Sequence, residues 1–123
     1  MKVSIITLTY NSEENILKCL DSIKYQKYDN IEHIIIDGKS SDSTLKIVDK
    51  NIIDNSIIIS EKDSGIYDAW NKGLEVATGD IVGTVMSDDF LENKNVVNKI
   101  VEAFKENDCD IVYANMNFEL KNQ

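Results

Sequence analysis

HIIIDGKSSDSTLKIV, residues 33–48, carries the pattern from which the fold follows. His33 to Ile36 form a short β-branched run suited to a buried strand. Asp37-Gly38-Lys39-Ser40 interrupts it with turn-forming and charged residues. Leu45, Ile47 and Val48 then mark a short helix after Ser41 and Asp42. The same alternation continues in both directions. Upstream, residues 3–8 (VSIITL) read as a strand, and Ile16, Leu17, Leu20 and Ile23 line one helical face. That helix has a start signal at Asn11 or Ser12, with Glu14 in its first turn. Downstream, residues 57–59 (III), 81–85 (IVGTV) and 111–114 (IVYA) read as strands. Between them, Ala69, Trp70, Gly73, Leu74 and Ala77 suggest a third helix stopped by Gly79, and Val96, Val97, Ile100, Val101 and Phe104 a fourth. Strand and helix alternate throughout, which predicts an α/β fold: a Rossmann-like, mostly parallel sheet with helices on both faces.

Composition narrows the function. The 123 residues fit a single domain, and 42% hydrophobic with 28% charged residues is ordinary for a globular protein. A net charge of −9 argues against nucleic acid as a partner, because phosphates demand clustered cations. No apolar run approaches the roughly 20 residues of a membrane span, and MKVSIITLTYN lacks the pattern of a signal peptide. Cys19 and Cys109 are too few and too far apart for a disulfide framework, which favours a reducing cytoplasm. All 13 basic residues are lysine and there is no proline, a bias we read as compositional.

In a parallel α/β sheet, ligands bind outside the carboxyl ends of the strands. Thr7, Tyr10 and Asn11 follow the first strand, and Asp37-Gly38-Lys39-Ser40 the second. Glu61-Lys62-Asp63-Ser64-Gly65 follows the third and Ser87-Asp88-Asp89 the fourth. Polar clusters, most of them acidic, therefore gather on one edge. The adjacent Asp88 and Asp89 repel each other, and two readings accommodate them. Either they cap the loop before a helix near residue 93, or a magnesium or manganese ion shared with a diphosphate sits over both.

The segments VSIITLTYNSEENI, IIIDGKSSDSTLKI and SEKDSGIYDAWNKGLEVATGDIVGTVMSDD resemble, in order and spacing, the amino-terminal half of family 2 glycosyltransferases with the GT-A fold. The likeness runs from Val3 to about Phe90 and points to bacterial enzymes that assemble exopolysaccharide or lipopolysaccharide sugars. It implies a nucleotide-diphosphate sugar donor, UDP-linked, whose sugar moves with inversion to a saccharide or lipid-linked acceptor. By position, Thr7 and Tyr10 would border the base, and Asp37 would accept a hydrogen bond from the uracil ring. Asp63 and Asn71 would line the donor pocket, with Lys62 or Lys72 near phosphate. Asp88 would contact the ribose or sugar side, and Asp89 would ligate Mn2+ or Mg2+.

The sequence departs from that family pattern at several points. Leu8 stands where many members have proline, Met86 where many carry a further acid, Lys39 where glycine is usual, and Trp70 where some have arginine. His33 and Cys19 take structural readings and Trp70 reads as core or pocket wall, while Tyr67 stays open because the GIYDAWNKG segment as a whole faces the suspected site. A phosphorylated receiver domain would need its acidic pair after the first strand, and a nucleotidyltransferase a glycine-rich loop there; TLTYN supplies neither.

Residues 1–123 are thus expected to form one nucleotide-sugar-binding domain, truncated at its carboxyl end. The general base would lie beyond residue 123, since Glu92, Glu102, Glu106, Asp108 and Glu119 are poor candidates. The alternative is a donor-binding module without turnover. Apolar surface beside the fifth strand would favour a homodimer. A cytoplasmic location is expected, with a lipid-linked acceptor bringing the enzyme to the inner face of the membrane.

Overall fold

The computed structural model describes residues 1–118. Strands β1 (Val3–Thr9), β2 (Ile31–Asp37), β3 (Ser56–Ser60) and β4 (Ile81–Thr84) alternate with helices α1 (Ile16–Lys24), α2 (Thr44–Asn51), α3 (Ile66–Val76) and α4 (Val96–Glu106). The strands form one parallel sheet in the order β3-β2-β1-β4. Register aligns the strand ends: Thr9 lies opposite Asp37, and Asp37 opposite Ser60. This is the α/β fold expected from the sequence.

Alternation along the strands sends side chains to two cores. On one face Val3 and Ile5 pack with Cys19 and Ile23 of α1 and with Val97 and Val101 of α4. Ile35 joins Ile16, Leu20 and Val48 on the same side. On the other face Ile6, Leu8, Ile34 and Ile36 pack against Ala69 of α3. Because both faces are covered, every residue of β1 and β2 is buried, which explains why β-branched apolar residues recur on both faces of each strand. Gly73 lets α3 approach closely, since a Cβ there would fall 2.8 Å from Ile6 Cγ2.

Polar groups pin the end of the sheet opposite the strand-end loops. Buried Glu32 accepts hydrogen bonds from Ser4 Oγ at 2.6 Å and from the Thr78 amide and hydroxyl at 3.0 Å. Burial alone would raise its pKa, but these donors, with Lys2 at 3.5 Å, hold the carboxyl below its ordinary value. The network fixes where the chain enters β4, and hence where β4 delivers the residues that follow it.

The expected fifth strand is not formed. Residues 111–114 lie outside any strand, with Ile111 80% and Tyr113 91% exposed. A β-branched run becomes a strand only where an edge pairs with it, and no described residue pairs with this one. Glu119 lies outside the described residues. Among the described residues, no helix is long and apolar enough to cross a membrane.

Candidate functional site: a cleft across three strand ends

The carboxyl ends of the strands open into a cleft of about 670 Å³, within the range of small-molecule sites. Its wall includes Tyr10, Gly38, Lys62, Asp63, Ile66 and Met86. Gly38 marks the convergence: a Cβ there would touch both Tyr10 Cδ1 and Asp63 Oδ2 at 3.4 Å. Residues from the ends of β1, β2 and β3 thus meet at one point. Tyr10 is 62% exposed beside that point, leaving its ring free to stack on a planar ligand.

The loops after β1 and β2 hold each other. Asn11 takes a left-handed backbone, φ 46°, which Asn tolerates better than most residues. Its Oδ1 accepts from the Ser41 amide at 2.8 Å, and its own amide donates to Ser40 Oγ at 2.8 Å. The Ser12 amide donates to Thr44 Oγ1 at 2.8 Å, and Glu13 Oε2 accepts from the Ser43 amide at 3.0 Å. Lys39 is also left-handed, φ 67°, a backbone that favours glycine over residues with a Cβ.

Asp37 organises these loops from within. It is fully buried, and its carboxylate accepts from the Ser40 amide at 2.8 Å, Ser40 Oγ at 2.5 Å and Ser60 Oγ at 2.7 Å. A carboxylate offers about four acceptor positions, so most of its capacity is spent on the protein. The structure places it inside the cleft floor's support and not on the wall.

Several expected site residues lie elsewhere. Thr7 is fully buried, with its hydroxyl 2.8 Å from His33 Nε2 and 3.9 Å from Cys19 Sγ, so it does not border the cleft. Its side chain points beneath the helix layer; Thr9, two residues on and on the same face, reaches the cleft instead. Thr9 Oγ1 is buried without a hydrogen-bond partner. Lys72 turns away from the cleft to Glu61 at 3.2 Å and Asp68 at 3.5 Å. Desolvation opposes its charge, but the two carboxylates prevail and raise its pKa. Asn71 is exposed on α3 and does not line the cleft. Lys62 does line it, and Asp63 lines it while Oδ1 accepts from the Gly65 amide at 3.3 Å.

Asp88 and Asp89 project from the loop after β4, next to the cleft residues Met86 and Ser87. Both are exposed, and among the described residues neither carboxylate makes a hydrogen bond or ion pair. Desolvation, then the neighbouring Asp88 charge, raises the Asp89 pKa. Among the described residues, no cluster of three or more His, Cys, Asp or Glu could hold a metal alone. Two unengaged carboxylates still fit Mg2+ or Mn2+, which commonly takes one or two carboxylates and completes its shell with water and substrate phosphate. The expected helix near residue 93 begins at Val96, leaving the acids well outside its first turn.

His33 and Cys19 are structural, as expected. Burial drives the His33 pKa down to about 4, and mainly burial drives the Cys19 thiol up to about 11. Trp70 Nε1 donates to Thr84 Oγ1 at 2.8 Å beside β4, and Tyr67 projects into solvent. The sequence marks Ser12 only as a helix start and Ser87 only as part of the cluster after the fourth strand, with no role for either hydroxyl. Their hydroxyls lie 2.9 Å apart at the cleft, a contact between residues 75 apart in the chain.

A parallel sheet with a cleft at its strand ends defines an α/β protein of the class in which ligands bind outside the carboxyl ends of the strands. The chain belongs to glycosyl transferase family 2, whose match covers residues 4–121. It is 33% identical over 117 residues to a PGL/p-HBAD biosynthesis glycosyltransferase of Mycobacterium tuberculosis, covering 92% of this chain and 46% of that protein. Among solved structures it resembles S. aureus TarS 1-349 in complex with UDP-GlcNAc, with a TM-score of 0.79 and 32% identity over 86% of this chain and 32% of the other. It also resembles the mannosyltransferase PcManGT from Pyrobaculum calidifontis in complex with GDP-Man and Mn2+, with a TM-score of 0.74 and 26% identity over 82% of this chain and 31% of the other. The chain therefore spans under half of each of these proteins, and it has the GT-A fold.

Proposed function

We propose that the cleft binds the nucleotide-diphosphate sugar donor of an inverting glycosyltransferase, and that the donor is UDP-linked. The convergence of Tyr10, Gly38 and Asp63 in a cleft whose lining residues Met86 and Ser87 run directly into Asp88 and Asp89 is the observation that carries this reading. Tyr10 would stack on the base, and Asp37 would fix the loop whose edge the uracil meets. Thr9, with its unpartnered hydroxyl, replaces Thr7 among the candidate wall residues. Lys62 and Lys39, which both line the cleft, are the cations available to phosphate, because Lys72 is already paired. Asp88 and Asp89 would hold Mn2+ or Mg2+. Such an ion supplies Lewis-acid stabilisation to a departing diphosphate.

The acceptor would be a saccharide or a lipid-linked sugar in surface polysaccharide synthesis. Its hydroxyl would be deprotonated by a carboxylate acting as general base, and the enzyme would work in the cytoplasm. The mycobacterial relative and the neighbouring TarS and PcManGT support a transferase, and no finding favours a module without turnover. Exposed Trp70, Leu74 and Val82 beside β4 offer the apolar surface for a homodimer, which light scattering would test against a monomer.

Calorimetric titration with UDP, GDP and dTDP, each with manganese or with chelator, tests the donor reading. UDP should bind most tightly and only weakly in chelator. Equal binding of all three, or none at all, would defeat it.

A further inference from the structure

The hydroxyls of Ser12 and Ser87 lie 2.9 Å apart, and either can be the donor in the bond between them. Ser12 Oγ also lies 3.2 Å from the Tyr10 carbonyl, within reach of its proton. Ser12 is itself anchored, since its amide donates to Thr44 Oγ1, which donates at 2.5 Å to Asp42 Oδ1. A single chain of bonds thus runs from the loop bearing the acids, through Ser12, to the Tyr10 backbone and the start of α2. The acidic loop is also held by its ends, where the Val85 amide donates to Ile6 O at 3.0 Å and the Leu91 amide to Ser22 Oγ at 3.0 Å. Met86 packs on the core of Ile6, Leu8 and Ile36, and Lys18 Nζ sits 4.0 Å from the Phe90 ring, so the Ser12–Ser87 bond is the loop's polar side-chain tie to the Tyr10 side.

We propose that the Ser12–Ser87 hydroxyl bridge is the positioning contact that sets Asp88 and Asp89 against the Tyr10 side of the cleft. It rests on the donor-site reading and assigns Ser87 a role there: aligning the diphosphate and metal end of the site with the nucleoside end. Neither serine need touch the reacting atoms. Loss of the bridge would leave the nucleoside end intact and let the acids wander. A ligand that spans both ends would lose affinity, whereas one that occupies only the nucleoside end would not.

Two measurements on Ser87→Ala and Ser87→Thr test this. The first is amide exchange by NMR in the ligand-free protein. The second compares calorimetric affinity for uridine with that for UDP plus manganese. Ser87→Ala should exchange several times faster at Asp88 and Asp89, and its manganese–UDP affinity should fall roughly threefold to tenfold, as expected for one neutral hydrogen bond. Its uridine affinity should stay at the wild-type level, and Ser87→Thr should restore both properties. Unchanged exchange at the acids would overturn the bridge, as would equal losses for uridine and manganese–UDP. A loosened loop in a protein whose wild type binds neither ligand would instead overturn the donor-site reading, and the bridge's role in it.

Discussion

Residues 10–13 and 38–44, on one side of the cleft, are cross-linked to each other by Asn11, Ser12 and Glu13 and braced by buried Asp37. Residues 86–90, on the other side, meet the rest of the described molecule through Met86 packed on the Ile6 and Leu8 core, one hydroxyl bond at Ser87 and Lys18 Nζ over the Phe90 ring at 4.0 Å. The first side spends its carboxylate on the protein. The second leaves two carboxylates unspent and in mutual repulsion. A preformed half can recognise a rigid ligand portion without ordering cost. A half whose own charges are unbalanced would be stabilised by a cation and its counter-ligand. On the proposed function, the contrast predicts stability from the first side and ligand-dependent order at the second.

Asp37→Ala gives the sharpest test of that division. Removing a buried acceptor of several hydrogen bonds strands the Ser40 and Ser60 donors, and should cost about 3 kcal/mol in urea unfolding. UDP affinity should fall with it, roughly tenfold or more. A loss of affinity with full stability would return Asp37 to the cleft wall.

Acidification should attack the same side. His33, buried against Thr7 of β1, has a pKa near 4 in the fold, against an ordinary value of 6.5. Between those values the unfolded chain binds more protons than the folded one, so stability is full above about pH 6.5 and falls as pH drops toward 4. The shift corresponds to about 3 kcal/mol at most. Unfolding curves at pH 7 and pH 4.5 should show the loss. His33→Asn should flatten that part of the pH dependence, whereas an unchanged slope would remove His33 as its source.

On the opposite side, Asp89→Asn should leave stability within about 0.5 kcal/mol, since an exposed residue with no partner is replaced. Manganese-dependent UDP affinity should nevertheless drop at least tenfold, the scale of one charged interaction. Wild-type affinity that is equal in manganese and chelator would break the metal assignment. The smallest effect is expected at Lys39, where φ is 67°. Lys39→Gly should stabilise by about 1 kcal/mol by relieving the left-handed backbone, offset in part by glycine's greater freedom when unfolded. Destabilisation would mean that the lysine side chain itself holds the loop.

The sequence made the sheet and its helices legible because both reside in periodic burial. VSIITL and HIII are apolar on both faces, and each helix shows its stripe. Residues 111–114 have the composition of a strand, but pairing is a property of the neighbouring edge and is not encoded in the run itself. Thr7 and Thr9 share a face, and only the height of the α1 cover, set by Cys19, decides which of them reaches the cleft. Lys72 carried a readable warning: Asp68 lies four residues before it on the same helix face, a spacing that favours an ion pair over a free phosphate ligand. The Ser12–Ser87 contact had no local signal, because it joins loops brought together only by the β1–β4 pairing.

Hydrogen exchange across the whole chain, with UDP in chelator and with UDP in manganese, tests the division of the cleft most directly. Amides at 11–13 and 40–44 should be protected already in the free protein and change little with either addition. Those at 86–90 should exchange fast in the free protein and in chelator, and slow only when UDP and manganese are both present. Protection at 86–90 by UDP in chelator, or a large ligand-induced change at 40–44 with none at 86–90, would contradict it.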